Sequence, residues 1–309
     1  MMSDKAWKSP RSGSGSDSFE SVVFAGGGCR CFWQAGFWSV VSQQLPDPRV
    51  VLGVSAGAAF ACASLLDRGR NVLEDFKARV AANERNFYPG RLLEGRAAAF
   101  PHESMYRATI RETLSEQDFF RLKNGPDVRI LLARPPEYLP GRSGFFVGGL
   151  AYLLDNYEKK IHARWGYRFG FDHELVSIRD LESREELVDL ILHSSCTPPV
   201  LPLYRRDDRI VLDGGLLDNA PADLVPDAKS TLVLLTRHQS MEQVPEVAGR
   251  SYAWPSRPVP VIKFDYTNPE AVQETWDLGC RDGEAFLEGF LGRTHGLPRS
   301  TEESPALSA

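Results

Sequence analysis

Twice between residues 21 and 66, a short β-branched run stops at a glycine-rich turn and passes straight into an apolar stretch with helical spacing. The first run is Ser21-Val22-Val23-Phe24-Ala25, which ends at Gly26-Gly27-Gly28. It leads into Cys31–Gln44, where Phe32, Ala35, Gly36, Ser39 and Val40 fall on one helical face before Pro46. The second run, Arg49-Val50-Val51-Leu52, enters Gly53-Val54-Ser55-Ala56-Gly57 and then an Ala-rich helix through Leu66. Strand–turn–helix alternation of this kind predicts an α/β fold, a three-layer α/β/α sandwich on a mainly parallel central sheet.

The rest of the chain extends this pattern. Strands are expected at Asp127–Ala133, Arg209–Leu212, Thr231–Leu235 and Val259–Phe264. Helices are expected over Asn71–Arg121, broken at Tyr88-Pro89-Gly90 and Phe100-Pro101. Leu187–His193 is also helical and stops at Ser194-Ser195-Cys196-Thr197-Pro198-Pro199, because proline removes a donor and restricts its predecessor. A last helix covers Glu270–Phe290, weakened by Gly279, Gly283 and Gly289. Polar Met1–Ser18, with its Ser/Gly run and no apolar core, is expected to be a disordered leader; residues 20–292 form one domain and 293–309 a flexible tail.

Composition narrows the function classes. Lys and Arg number 36 against 41 Asp and Glu, a formal charge of −5, which argues against a nucleic-acid partner. Five scattered cysteines fit neither a disulfide framework nor a zinc site, so buried thiols of a cytoplasmic protein are expected, with no metal. The longest apolar run, Gly144–Leu154, falls short of the roughly 20 residues of a membrane span. It reads as a buried helix or as a lid, with Lys159 and Lys160 nearby for lipid phosphates. Phe87–Leu93 is a second candidate cap.

Three strand ends could carry chemistry. Gly53-Val54-Ser55-Ala56-Gly57 has the small residues that let a serine be held out of a sheet on a sharp turn, and it also reads as an ordinary strand-to-helix turn. Gly26-Gly27-Gly28 lets backbone N–H groups approach an anion at a helix start, either a bound phosphate or the oxyanion of an attacked ester. A dinucleotide fingerprint is poorly matched: Cys31 occupies its last glycine position, and the acidic residue near the expected offset, Asp47, lies between two prolines. Arg30 orients the glycine loop, faces an anionic head group, or is a surface guanidinium on the first helical turn. Asp213-Gly214-Gly215, after Arg209–Leu212, places a carboxylate at a strand end, or is a simple Asp-Gly turn.

Taken together, these motifs supply a nucleophile, oxyanion donors and a base, and their order resembles the patatin-like phospholipases, lipid acyl hydrolases with a Ser–Asp dyad. The likeness runs over residues 22–226 and includes Ser194–Pro199 before the last motif and Asn219-Ala220-Pro221 after it; Cys31 stands where the family usually has glycine. The resemblance implies that Ser55 attacks an ester carbonyl, that Asp213 takes its proton, and that Gly26, Gly27 and Gly28 form the oxyanion hole. Arg30, Gly53, Gly57, Gly214 and Gly215 would support them. It implies no cofactor, a phospholipid or other acyl-ester substrate, and transient contact with a membrane surface. It leaves acyl transfer open beside hydrolysis. An Asp of ordinary pKa, about 3.9, is a weak base for a serine, so an apolar cleft is expected around the pair. The competing readings are an α/β-hydrolase triad using His238 or His295, and a catalytically silent phosphate- or nucleotide-binding relative.

Overall fold

Five central strands buried on both faces set the architecture. In chain order the strands are β1 (Trp7–Lys8), β2 (Ser21–Phe24), β3 (Val50–Val54), β4 (Asp127–Arg134), β5 (Asp172–Ser177), β6 (Tyr204–Arg206), β7 (Arg209–Asp213), β8 (Thr231–Leu234) and β9 (Arg250–Ala253). The helices are α1 (Phe32–Val41), α2 (Ala56–Leu65), α3 (Gly69–Ala81), α4 (His102–Thr113), α5 (Glu116–Asn124), α6 (Trp165–Arg168), α7 (Arg184–Ser194) and α8 (Pro269–Thr294). These elements come from a computed structural model, which describes residues 6–9, 18–94, 99–136, 161–162, 164–225 and 229–294. Gly144–Leu154, Lys159, Lys160 and His295 lie outside the described residues.

The sheet order is β1-β9-β8-β2-β3-β4-β7-β6, with β5 also on β4. The central strands β9, β8, β2, β3 and β4 are parallel, while β1, β5, β6 and β7 join antiparallel. Val22, Phe24, Val51, Ile130, Leu132, Leu232 and Leu234 face one core, under the helices. Their alternates Val23, Leu52, Val54, Leu131, Ala133 and Val233 face the other, as the two-residue strand period requires. Among the described residues that second face is covered by α6 and by short 3₁₀ turns at Gly214–Leu216 and Ala222–Leu224. The fold is an α/β sandwich.

Three local expectations change. Trp7 and Lys8, in the expected leader, form β1 on the edge of β9, with Trp7 opposite Ala253 and its ring 5.5 Å from that of Phe286. Burial of the indole supplies what the surrounding Ser/Gly run lacks. Val259–Phe264 is not a strand: Pro258 and Pro260 remove ladder donors, and β9 takes the place on the sheet. The glycines of α8 mark a close contact rather than a weak helix. A Cβ at Gly279 would strike the Trp33 carbonyl, one at Gly36 the Trp276 carbonyl, and one at Gly283 would lie 2.9 Å from Phe37 O, so α1 and α8 meet backbone to backbone. Trp33 Nε1 donates to the buried Asp282 Oδ2 across the same interface (2.7 Å).

Gly279→Ala should therefore destabilise the fold, although alanine is the better helix former. A loss of about 1–3 kcal/mol is expected, read as a lower urea midpoint with unchanged slope.

Candidate active site

The pairings along β4 bring distant segments together. β5 occupies one edge of β4 from Arg129 to Arg134. The other edge is shared: β3 pairs up to Val54 opposite Leu131, and β7 takes over with Asp213 opposite Leu132. Because β3 is parallel to β4 and β7 antiparallel, their C-terminal ends point at each other. Ser55 and Asp213 are the residues where they meet.

Ser55 begins α2 at φ 54° and ψ −134°, a left-handed region that costs a non-glycine residue of order 1–3 kcal/mol. The surroundings hold it there. Its N–H donates to Ser194 Oγ (2.9 Å), whose own hydroxyl donates to Leu131 O (2.7 Å). Gly53 lets β3 pass against Ala58 of α2, and Gly57 lies where a Cβ would strike the Phe24 and Ala25 carbonyls.

Ser55 Oγ donates to Asp213 Oδ2 at 2.7 Å, across 158 positions of sequence. Asp213 Oδ1 accepts the Gly215 N–H at 2.8 Å, and Asp213 N–H bonds Cys196 O at 3.0 Å. Gly214 packs on the Leu131 carbonyl with no room for a side chain. Serine and aspartate are both buried, at 5% and 3% exposure. Burial raises the Asp213 pKa above the ordinary carboxylate range; nearby Lys263, the Ser55 hydroxyl and the Gly215 amide pull the other way without cancelling it.

The glycine loop closes over this pair. Gly26 N–H is committed to Asn219 O (3.1 Å), and Gly26 O accepts both Asn219 Nδ2 (2.8 Å) and Thr236 Oγ1 (2.9 Å). Gly26 is thus an anchor of the loop rather than a free donor, unlike the role its motif suggested. A Cβ at Gly27 would meet the Thr236 side chain, and Gly28 has φ +57° with Lys263 O packed behind it. Arg30 resolves toward the loop: its Nε donates to Gly27 O at 3.2 Å. Cys31 sits fully buried with its thiol on Ala25 O, and a 3₁₀ turn over Gly28–Cys31 carries the chain into α1.

An apolar cavity opens beside Ser55 and follows α2. Ala56, Ala59, Ala63 and Leu66 line one side, at the spacing of one helical face, and Phe76 and Ile110 line the other. From Ala56 to Leu66 that wall is about 15 Å long. Tyr106 and Ser195 bring their hydroxyls, 3.4 Å apart, into the same wall. His238 is not on the pair: its Nδ1 lies 2.9 Å from Pro255 O. No group of three or more His, Cys, Asp or Glu placed for a metal ion is found among the described residues.

Of the residues singled out in the sequence, Ser55, Asp213 and the glycines beside them lie together in the structure. Sequence reasoning assigned no role to Ser194 and Asn219, which it met only as neighbours of motifs, and it missed Thr236. A strained serine on a buried carboxylate of raised basicity, beside an apolar cavity, can attack an acyl carbon.

A family model for patatin-like phospholipases matches residues 22–226. No curated protein matches the chain. Among solved structures the chain is similar to VipD from Legionella pneumophila, at 11% identity and a TM-score of 0.43, over 88% of this chain and 67% of that one.

The raised Asp213 pKa has a stability consequence of definite sign. Between the ordinary carboxyl pKa and the higher folded one, the native state binds more protons than the unfolded chain, so stability falls as pH rises through that window. Asp213→Asn removes this loss. The variant should gain stability relative to the parent from acidic to neutral pH, measured by urea denaturation across the series.

Proposed function

The chain belongs to the patatin-like phospholipase family, and from that premise we propose that it is a lipid acyl hydrolase working through Ser55 and Asp213 alone. The observation that carries the reading is the 2.7 Å contact from Ser55 Oγ to Asp213 Oδ2, made in a buried place at the head of an apolar cavity.

Ser55 Oγ bonds to the ester carbonyl carbon as its proton passes to Asp213 Oδ2. The tetrahedral oxygen is met by the amides of Gly27 and Gly28, since that of Gly26 is bonded to Asn219. Collapse breaks the ester C–O bond, and Asp213 returns the proton to the departing alcohol. Water, deprotonated by Asp213, then bonds to the acyl carbon. As the bond from that carbon to Ser55 Oγ breaks, Asp213 returns the proton to the serine and the fatty acid leaves. The Gly215 N–H on Oδ1 leaves Oδ2 directed at the serine, so orientation needs no imidazole. Burial supplies the basicity that an ordinary carboxylate lacks. The acyl chain lies along the alanine face of α2.

Two outcomes test this. Ser55→Ala and Asp213→Asn should each lower hydrolysis of a chromogenic acyl ester by about a thousandfold or more, with His238→Ala unaffected. A fluorophosphonate should label Ser55 in the parent, and equal rates in all variants would reject the pair. Separately, Ala63→Leu should shorten the preferred acyl chain. Relative kcat/KM for long against short esters should fall about tenfold while the short ester is still cleaved.

A further inference from the structure

A patch of large apolar side chains lies in solvent beside the cavity. Leu93 is fully exposed, Ile262 is 70% exposed, and Leu92 and Phe87 are also open. Leu92 and Leu93 belong to a short 3₁₀ segment, Pro89–Glu94. Isolated exposed leucines need no explanation, but here Phe87, five positions before Leu92, is joined to the cavity wall through a chain of rings. The ring of Phe87 lies 5.0 Å from Phe100, Phe100 6.3 Å from His102, and His102 6.3 Å from Phe264 and 4.4 Å from Tyr266. Phe264 and Tyr266 line the cavity.

Hydrogen bonds fix the two segments side by side. Asn83 Nδ2 donates to Tyr266 O (2.8 Å), Asn86 Nδ2 to Asp265 Oδ1 (3.0 Å), and Tyr266 N–H to Asn86 Oδ1 (2.7 Å). His102 Nε2 lies 2.8 Å from Phe264 O. Lys263 O accepts the Cys29 N–H, so the Ile262 side of the patch abuts the glycine loop. Cations flank the apolar groups: Arg85, Arg91 stacked on Tyr88, and Lys263 over Phe264. Glu84 is exposed in the same stretch, and Asp265 is occupied by Asn86 and Thr267.

We infer that Phe87, Leu92, Leu93 and Ile262 form a docking surface for a lipid bilayer with anionic headgroups, set beside the cavity so that substrate enters without crossing water. Apolar side chains enter the headgroup–acyl boundary while the flanking cations meet phosphates. Arg85, Arg91 and Lys263 stand against Glu84, Glu94 and Asp265, so the stretch is charge-balanced within a chain of net charge −5, and individual cations rather than a net basic field meet the phosphates. This rests on the acyl-hydrolase reading above for its purpose, though not for its test.

The test is co-sedimentation with phosphatidylcholine vesicles, with and without phosphatidylserine, read alongside hydrolysis of a soluble short-chain ester. The parent should pellet with the mixed vesicles. Leu92→Asp/Leu93→Asp, and Ile262→Asp separately, should lower binding by about tenfold or more with the soluble-ester rate unchanged. Arg85→Glu/Arg91→Glu should lose only the phosphatidylserine-dependent part. The proposal is overturned if the parent stays in the supernatant with both vesicles, or if the leucine variant pellets like the parent. Loss of soluble-ester hydrolysis in that variant also overturns it, since the segment would then be a cavity wall. Vesicle binding by a parent that cleaves no ester would support the docking surface and reject the hydrolase reading.

Discussion

One edge of β4 has two tenants. β3 pairs with it as far as Leu131, and β7 approaches from the opposite direction and begins at Leu132. Two strands that would otherwise pass each other meet end to end, and whatever stands at their last positions must touch. A hydroxyl stands at one end and a carboxylate at the other. The glycine loop at the end of β2, the turn after Asp213 and the first turn of α2 are arranged about that junction.

This junction is costly to keep. It holds a serine at positive φ and a carboxylate at 3% exposure, each worse than an ordinary residue in an ordinary turn. Buried hydrogen bonds hold it in place: Ser194 bridges β4 to the serine amide, and in the segment 213–220 the Gly215 N–H donates to Asp213 and the Ala220 N–H to Asp218. A fold that only needed stability would have no use for either group, which is the pattern expected where strain serves chemistry.

The strand ends were legible because their chemistry is local. Ser55 and Asp213 each sit in a short run of small residues that follows a β-branched segment, and both features are visible within a few positions. Ser194 and Thr236 were not legible as supports, because a buried hydroxyl has no periodicity and its partners lie far along the chain. β5 was missed for a related reason: as an outer strand with polar Asp172, His173 and Glu174 it lacks the apolar run of its parallel neighbours. β1 is two residues in a polar stretch, and only the site of Trp7 against Phe286 explains it. The α8 glycines read as defects because propensity knows nothing of the helix on the other side.

Two carbonyls in the glycine loop carry a further consequence. Gly26 O is gripped by Asn219 and Thr236, and Gly27 O by the backbone and side chain of Arg30. A trans peptide is flat, so fixing its oxygen aims the hydrogen on the following nitrogen the opposite way. The N–H vectors of Gly27 and Gly28 are thereby locked from behind by the fold itself, and in the proposed reaction these dipoles would have no turning left to do.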